Sequence, residues 1–69
     1  MKKGKVKEYD PNRGCGVVID QESKQQHNIY ANYIFLRAGE ELKEGQDVEF
    51  EIENNRNRDW VVNLRIILG

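Results

Sequence analysis

The stretch Gln46-Asp47-Val48-Glu49-Phe50-Glu51-Ile52-Glu53 alternates apolar and acidic residues in strict period two. Only a strand sends successive side chains to opposite faces, so Val48, Phe50 and Ile52 are expected on a core and the carboxylates in water. Gly45 punctuates its start, and Asn54 to Asp59 (Asn-Asn-Arg-Asn-Arg-Asp) is a polar turn cluster. Trp60 to Ile67 follows as a last strand. Trp60 shares parity with Val62, Leu64 and Ile66 there, which favours a packed lid over an exposed aromatic at the edge.

The rest of the chain reads the same way. Residues 4–9 form a first strand with Val6 inward. Asp10-Pro11-Asn12 is a turn, because Pro11 pre-sets φ and Asn12 tolerates the left-handed region. Residues 15–20 form a second strand through Val17, Val18 and Ile19, and Gly14 and Gly16 imply close backbone approach or a sharp bend. Asp20 to Asn28 is a polar loop. Ile29 to Tyr33 is a third strand, with Ile29 and Ala31 on one side and Tyr30 and Asn32 on the other. Ile34 to Leu42 is a loop or a single helical turn anchored by Ile34, Phe35, Leu36 and Leu42. Five short strands without a convincing helix predict an all-β domain over residues 1–69. A small antiparallel barrel is the expected form, since closure removes the edges an open sheet exposes.

Composition narrows the function. Cys15 is the single cysteine, which excludes an internal disulfide and suits a reducing, cytoplasmic location. With one histidine, His27, and one cysteine there is no recognisable metal-ligand spacing, and no cofactor is expected. Nothing resembles a nucleophile–base pair or a phosphate-gripping glycine loop, so an enzyme is not expected. No apolar run approaches the roughly 20 residues needed to cross a bilayer, and no signal-peptide core follows Met1-Lys2-Lys3, so no membrane association is expected. The net charge is −1, unevenly placed. Residues 1–13 hold five basic against two acidic side chains, a net +3, and residues 40–53 hold seven acidic against one basic, a net −6. A basic pole suited to phosphates and an acidic pole that repels them are expected.

These landmarks together resemble the cold-shock domain. Gly4-Lys5-Val6-Lys7-Glu8-Tyr9-Asp10 is similar to the family opening G-x-V-K-W-F-N, and Asn12-Arg13-Gly14-Cys15-Gly16-Val17-Val18 to its first ribonucleoprotein motif, K-G-F-G-F-I. Asn28-Ile29-Tyr30-Ala31-Asn32-Tyr33 resembles the second, D-V-F-V-H-F. Leu42 to Phe50 resembles L-x-E-G-Q-x-V-x-F, and Asn63-Leu64 sits where the closing A-x-N-V lies. The resemblance implies a five-stranded OB-fold barrel that binds single-stranded RNA or DNA, as an RNA chaperone or regulator. It carries base stacking to Tyr30 and Tyr33, phosphate contact to Lys7 and Arg13, and a base-edge hydrogen bond to Asn32. Trp60 is not a family aromatic and is a candidate replacement platform.

Several family positions depart. Glu8 stands in place of an exposed tryptophan, Cys15 and Val17 in place of two phenylalanines, and Asn32 in place of a histidine. Each lost base–aromatic stack is worth about 1–3 kcal/mol, so weak binding is expected. The alternative is a barrel that has lost its platform and serves as a protein-interaction module or homodimer, docking through Cys15, Val17 and the tyrosines.

Overall fold

A computed structural model describes residues 1–67; residues 68 and 69 of the expected 1–69 domain lie outside the described residues. Five antiparallel strands form one sheet: β1 (Lys2–Asp10), β2 (Cys15–Asp20), β3 (Gln26–Tyr30), β4 (Asp47–Asn55) and β5 (Arg58–Ile66), in the order β3-β2-β1-β4-β5. A parallel bridge between Ile34 and Leu64, with the Phe35 amide donating to the Leu64 carbonyl at 2.8 Å, joins the chain after β3 to β5. The sheet thereby curls into the expected barrel.

The interior comprises Val6, Val18, Ile29, Leu42, Val48, Phe50, Val61 and Leu64, with Tyr9, Ile34, Ile52 and Ile66 packed around them. The alternating strand delivers Val48 and Phe50 to this core as expected, and Ile52 to its margin. On β5 the expected parity breaks. Val61 and Leu64 are inward, three residues apart, because Asn63 adopts a left-handed φ of 54° and the pairing with β4 shifts between Glu49 and Glu51. That extra residue is a β-bulge, and it turns Trp60 and Val62 to the outer face.

Two other elements differ from expectation. β3 begins at Gln26 and ends at Tyr30, after which Ala31–Tyr33 form a 3-10 turn. The Ala31 amide still donates to the Gly14 carbonyl at 2.8 Å, one step past the Cys15–Tyr30 pair in the same register, and the Ile34 amide then closes the turn on the Ala31 carbonyl at 3.2 Å. Asn32 is therefore on a turn and not beside Tyr30 on a strand. Of the two forms expected for residues 34–42 the structure has the loop, anchored by Ile34 and Leu42, while Phe35 and Leu36 stay exposed.

β1 starts at Lys2, two residues early, because its basic end is paired with the acidic strand. Lys3 lies opposite Glu49 and Lys5 opposite Asp47, whose carboxylate is 3.2 Å from the Lys5 ammonium. Lys2 reaches Asp20 at 3.6 Å. The expected basic pole is thus partly offset by acidic partners, and Lys7 and Arg13 are the cations of the opening segment outside the stretch paired with β4.

Asp20 closes the β2–β3 hairpin. Its buried carboxylate accepts from the amides of Glu22 (2.8 Å) and Ser23 (3.3 Å). The Glu22 amide bond chiefly, then the Ser23 amide and the Lys2 charge, hold this carboxyl below the ordinary value near 3.8, against the opposing effect of burial. A depressed native pKa stabilises the fold above that ordinary value, and the contribution drains away as pH falls through the lowered one. Asp20→Asn is expected to lower the thermal midpoint at neutral pH and to shrink the gap from the native protein below about pH 4. Thermal melts of both proteins between pH 7 and pH 2 check this; a gap that stays constant with pH contradicts it.

Candidate nucleic-acid interface

The turn from β1 to β2 sets one side of the site. The Asp10 carboxylate accepts from the Asn12 amide at 2.9 Å, and the Gly14 amide donates to the Asp10 carbonyl at 2.8 Å. The left-handed residue is Gly14 (φ 70°), not Asn12. Gly16 then lets β1 approach closely, since a Cβ there would strike the Glu8 carbonyl and lie 2.8 Å from the Tyr9 Cα. The two glycines of this motif thus do different work, one bending the chain and the other admitting a neighbour.

The pairing register stacks outward residues in rows. Asp10, Cys15 and Tyr30 form one row across β1, β2 and β3; Glu8, Val17 and Asn28 form the next. With Arg13 these residues line a shallow concavity. Lys7 is the extra residue where the β1–β2 pairing shifts between Val6 and Glu8, so Lys7 and Glu8 are both exposed. The Arg13 guanidinium lies 3.9 Å from Asp10, an exposed contact that solvent and salt screen. Two carboxylates, Glu8 and Asp10, therefore share this face with Arg13.

The aromatic residues lie to one side of it. Tyr30 ends β3 and Tyr33 ends the 3-10 turn, 38% and 40% exposed, which leaves ring surface for a ligand. Trp60 is half-buried between them, its ring centroid 5.7 Å from that of Tyr30 and 6.1 Å from that of Tyr33, tilted in both cases. Both separations are within the range of favourable aromatic contact. Trp60 is absent from the core, so the bulge at Asn63 converts the expected lid into part of an outer aromatic cluster across the β3–β5 seam. Asn32 is exposed on the turn between the tyrosines, and Lys7 does not line the concavity that Arg13 and Tyr30 share.

Beyond Trp60 lies a second concavity lined by Tyr33, Glu53, Asn55, Arg56, Arg58, Trp60 and Val62. Arg56 and Arg58 belong to the polar turn cluster in sequence, and their nearness to Tyr33 depends on barrel closure. The period of two from Arg58 to Trp60 to Val62 was the available signal, and the bulge position was the missing piece.

No family model matches the chain. Over 63 residues it is 30% identical to the cold shock-like protein CspA of Rickettsia bellii (strain RML369-C), a match covering 91% of this chain and 90% of that protein. It is 29% identical over 65 residues to a cold shock-like protein of Thermotoga maritima, covering 94% and 97% respectively.

Proposed function

The chain belongs to the cold-shock protein family, and from that premise we propose that it binds unpaired RNA or DNA weakly, trapping single strands as an RNA chaperone or regulator. Tyr30, Tyr33 and Trp60 stack bases, Lys7 and Arg13 meet phosphates, and Asn32 reads a base edge. The observation that supports this is the exposed Tyr30–Trp60–Tyr33 cluster beside the concavity holding Arg13. Any base has a π-face, so such a cluster suits a sequence-tolerant ligand. Glu8 and Asp10 on the same surface support low affinity. The role is binding and not catalysis, and the single cysteine supports a cytoplasmic setting.

Titration of a labelled pyrimidine-rich oligonucleotide at low and moderate salt tests the reading. Binding is expected at low salt and weakens as salt rises, because phosphate contacts release counterions. Tyr30→Ala is expected to weaken it by roughly 1–3 kcal/mol. No binding at low salt, or indifference to Tyr30→Ala, refutes it.

Exposed Phe35 and Leu36 favour a second reading, a protein-docking or self-associating barrel. Sedimentation over a range of concentrations separates the two, since a strict monomer counts against self-association.

A further inference from the structure

We infer that the loop between β3 and β4, with the end of β5, forms a self-complementary face on which a second copy of this chain docks, the apolar knob of each copy seating in a groove of the other. This rests on the second reading above, that of a docking or self-associating barrel, and names its partner. Three observations carry it.

The first is shape. Phe35 and Leu36, 55% and 40% exposed, stand out beside a shallow concavity that they line with Arg37, Glu40, Arg65 and Ile66. A second concavity adjoins it, sharing Glu40 and Ile66 and walled by Gly39, Glu41, Lys43 and Gln46. A two-fold contact uses one patch on both copies, so that patch must hold both a projection and its receptor. This face has the two side by side.

Both parts are also held in place. The Phe35 amide donates to the Leu64 carbonyl at 2.8 Å, directly after Ile34 packs against the core. The Arg37 amide donates to the Glu40 carboxylate at 2.6 Å and the Glu40 amide to the Arg37 carbonyl at 3.0 Å, which closes a turn. On the groove side Leu42 is buried, and the Gln46 side chain accepts from the Lys43 amide at 2.7 Å and donates to the Glu41 carbonyl at 3.0 Å. A loop ordered before contact loses less freedom on association.

The third observation is charge. Arg37 and Arg65 flank the knob, and the groove carries Glu40 and Glu41 against Lys43. The ion pairs among the described residues join Lys2 to Asp20, Lys5 to Asp47 and Arg13 to Asp10, and engage none of these five. Seating the knob of one copy in the groove of the other brings arginines to glutamates, and the two-fold repeats the match. A contact built from one loop and a strand end is smaller than a standard interface, so the dimer is weak. Trp60 lies six residues from Ile66 along β5, roughly 20 Å away, which leaves the aromatic cluster uncovered.

The experiment is sedimentation of the full chain without nucleic acid, from about 10 µM to about 1 mM, the range of a weak contact. A monomer–dimer equilibrium is expected. Leu36→Glu is expected to weaken it at least about tenfold, because a carboxylate then enters the groove. Leu36 is exposed, so an unchanged thermal midpoint shows that the fold is intact. Arg37→Glu and Glu41→Arg are each expected to be monomeric alone, whereas an equimolar mixture of the two associates, since every reversed charge then meets its opposite. The same mixture with Leu36→Glu in both chains stays monomeric, which separates docking from general attraction between oppositely altered chains. Self-association that survives Leu36→Glu, or a mixture no more associated than its components, overturns this face and leaves a self-associating barrel standing. A strict monomer over the whole range overturns the second copy as occupant and leaves Phe35 and Leu36 to a different protein.

Discussion

Gly16→Ala is expected to bring the fold close to its unfolding midpoint at room temperature. The added methyl would collide with the Glu8 carbonyl and approach the Tyr9 Cα to 2.8 Å and the Tyr9 ring to 3.0 Å. Two of these neighbours are backbone, fixed by the pairing of Glu8 with Val17 and Tyr9 with Gly16, so relief requires β1 to separate from β2. Overpacking of side chains costs about 1–3 kcal/mol, and a clash with a paired strand belongs at or above the top of that range. A single core in a chain of this length supplies only about 3–5 kcal/mol. Gly39→Ala is the control: Gly39 has a φ of 84° and nothing within 4 Å of an added Cβ, so it carries the backbone cost alone, about 1 kcal/mol. Urea unfolding of the two variants decides the matter. Equal midpoints mean that the close approach at Gly16 is not what holds β1 to β2.

How far the sequence reveals this barrel depends on where each element draws its order. β4 was legible because its inward and outward positions are written in its own alternation. β3 was misplaced because Gln26, His27 and Asn28 have no apolar pattern, and their strand conformation comes from the backbone ladder with β2 and the Asp20-capped turn. The early start of β1 depends on Phe50 and Glu49, remote in sequence. Most consequential was Asn63. Asparagine tolerates the left-handed region, yet nothing local marks it as a bulge, and that one residue decides whether Trp60 faces core or solvent. Of the candidate site residues, Tyr30, Tyr33 and Trp60 meet in space, with Arg13 reached through the concavity it shares with Tyr30. Lys7 is on a bulge outside that concavity and Asn32 is on the turn between the two tyrosines, and the motif spacing alone displays neither.

Glu8→Trp is expected to tighten oligonucleotide binding by one to two orders of magnitude at low salt. Glu8 is exposed, lies opposite Val17, and lines the concavity that includes Arg13 and Tyr30. An indole there supplies the stacking plane found at this position of the family pattern, worth about 1–3 kcal/mol, or roughly five- to 150-fold. The same change removes a carboxylate from a face that also carries Asp10, so repulsion of the incoming phosphates falls as well. Glu8→Gln separates the two effects, because it removes the charge without adding a ring. Its gain should be smaller and should fade as salt screens the lost repulsion, whereas the stacking part of the tryptophan gain should persist. Titrations of the native chain and both variants at two salt concentrations measure this directly. If tryptophan binds no tighter than glutamine, the β1–β2 face lies off the path of the strand. The ligand is then held by the aromatic cluster at the β3–β5 seam.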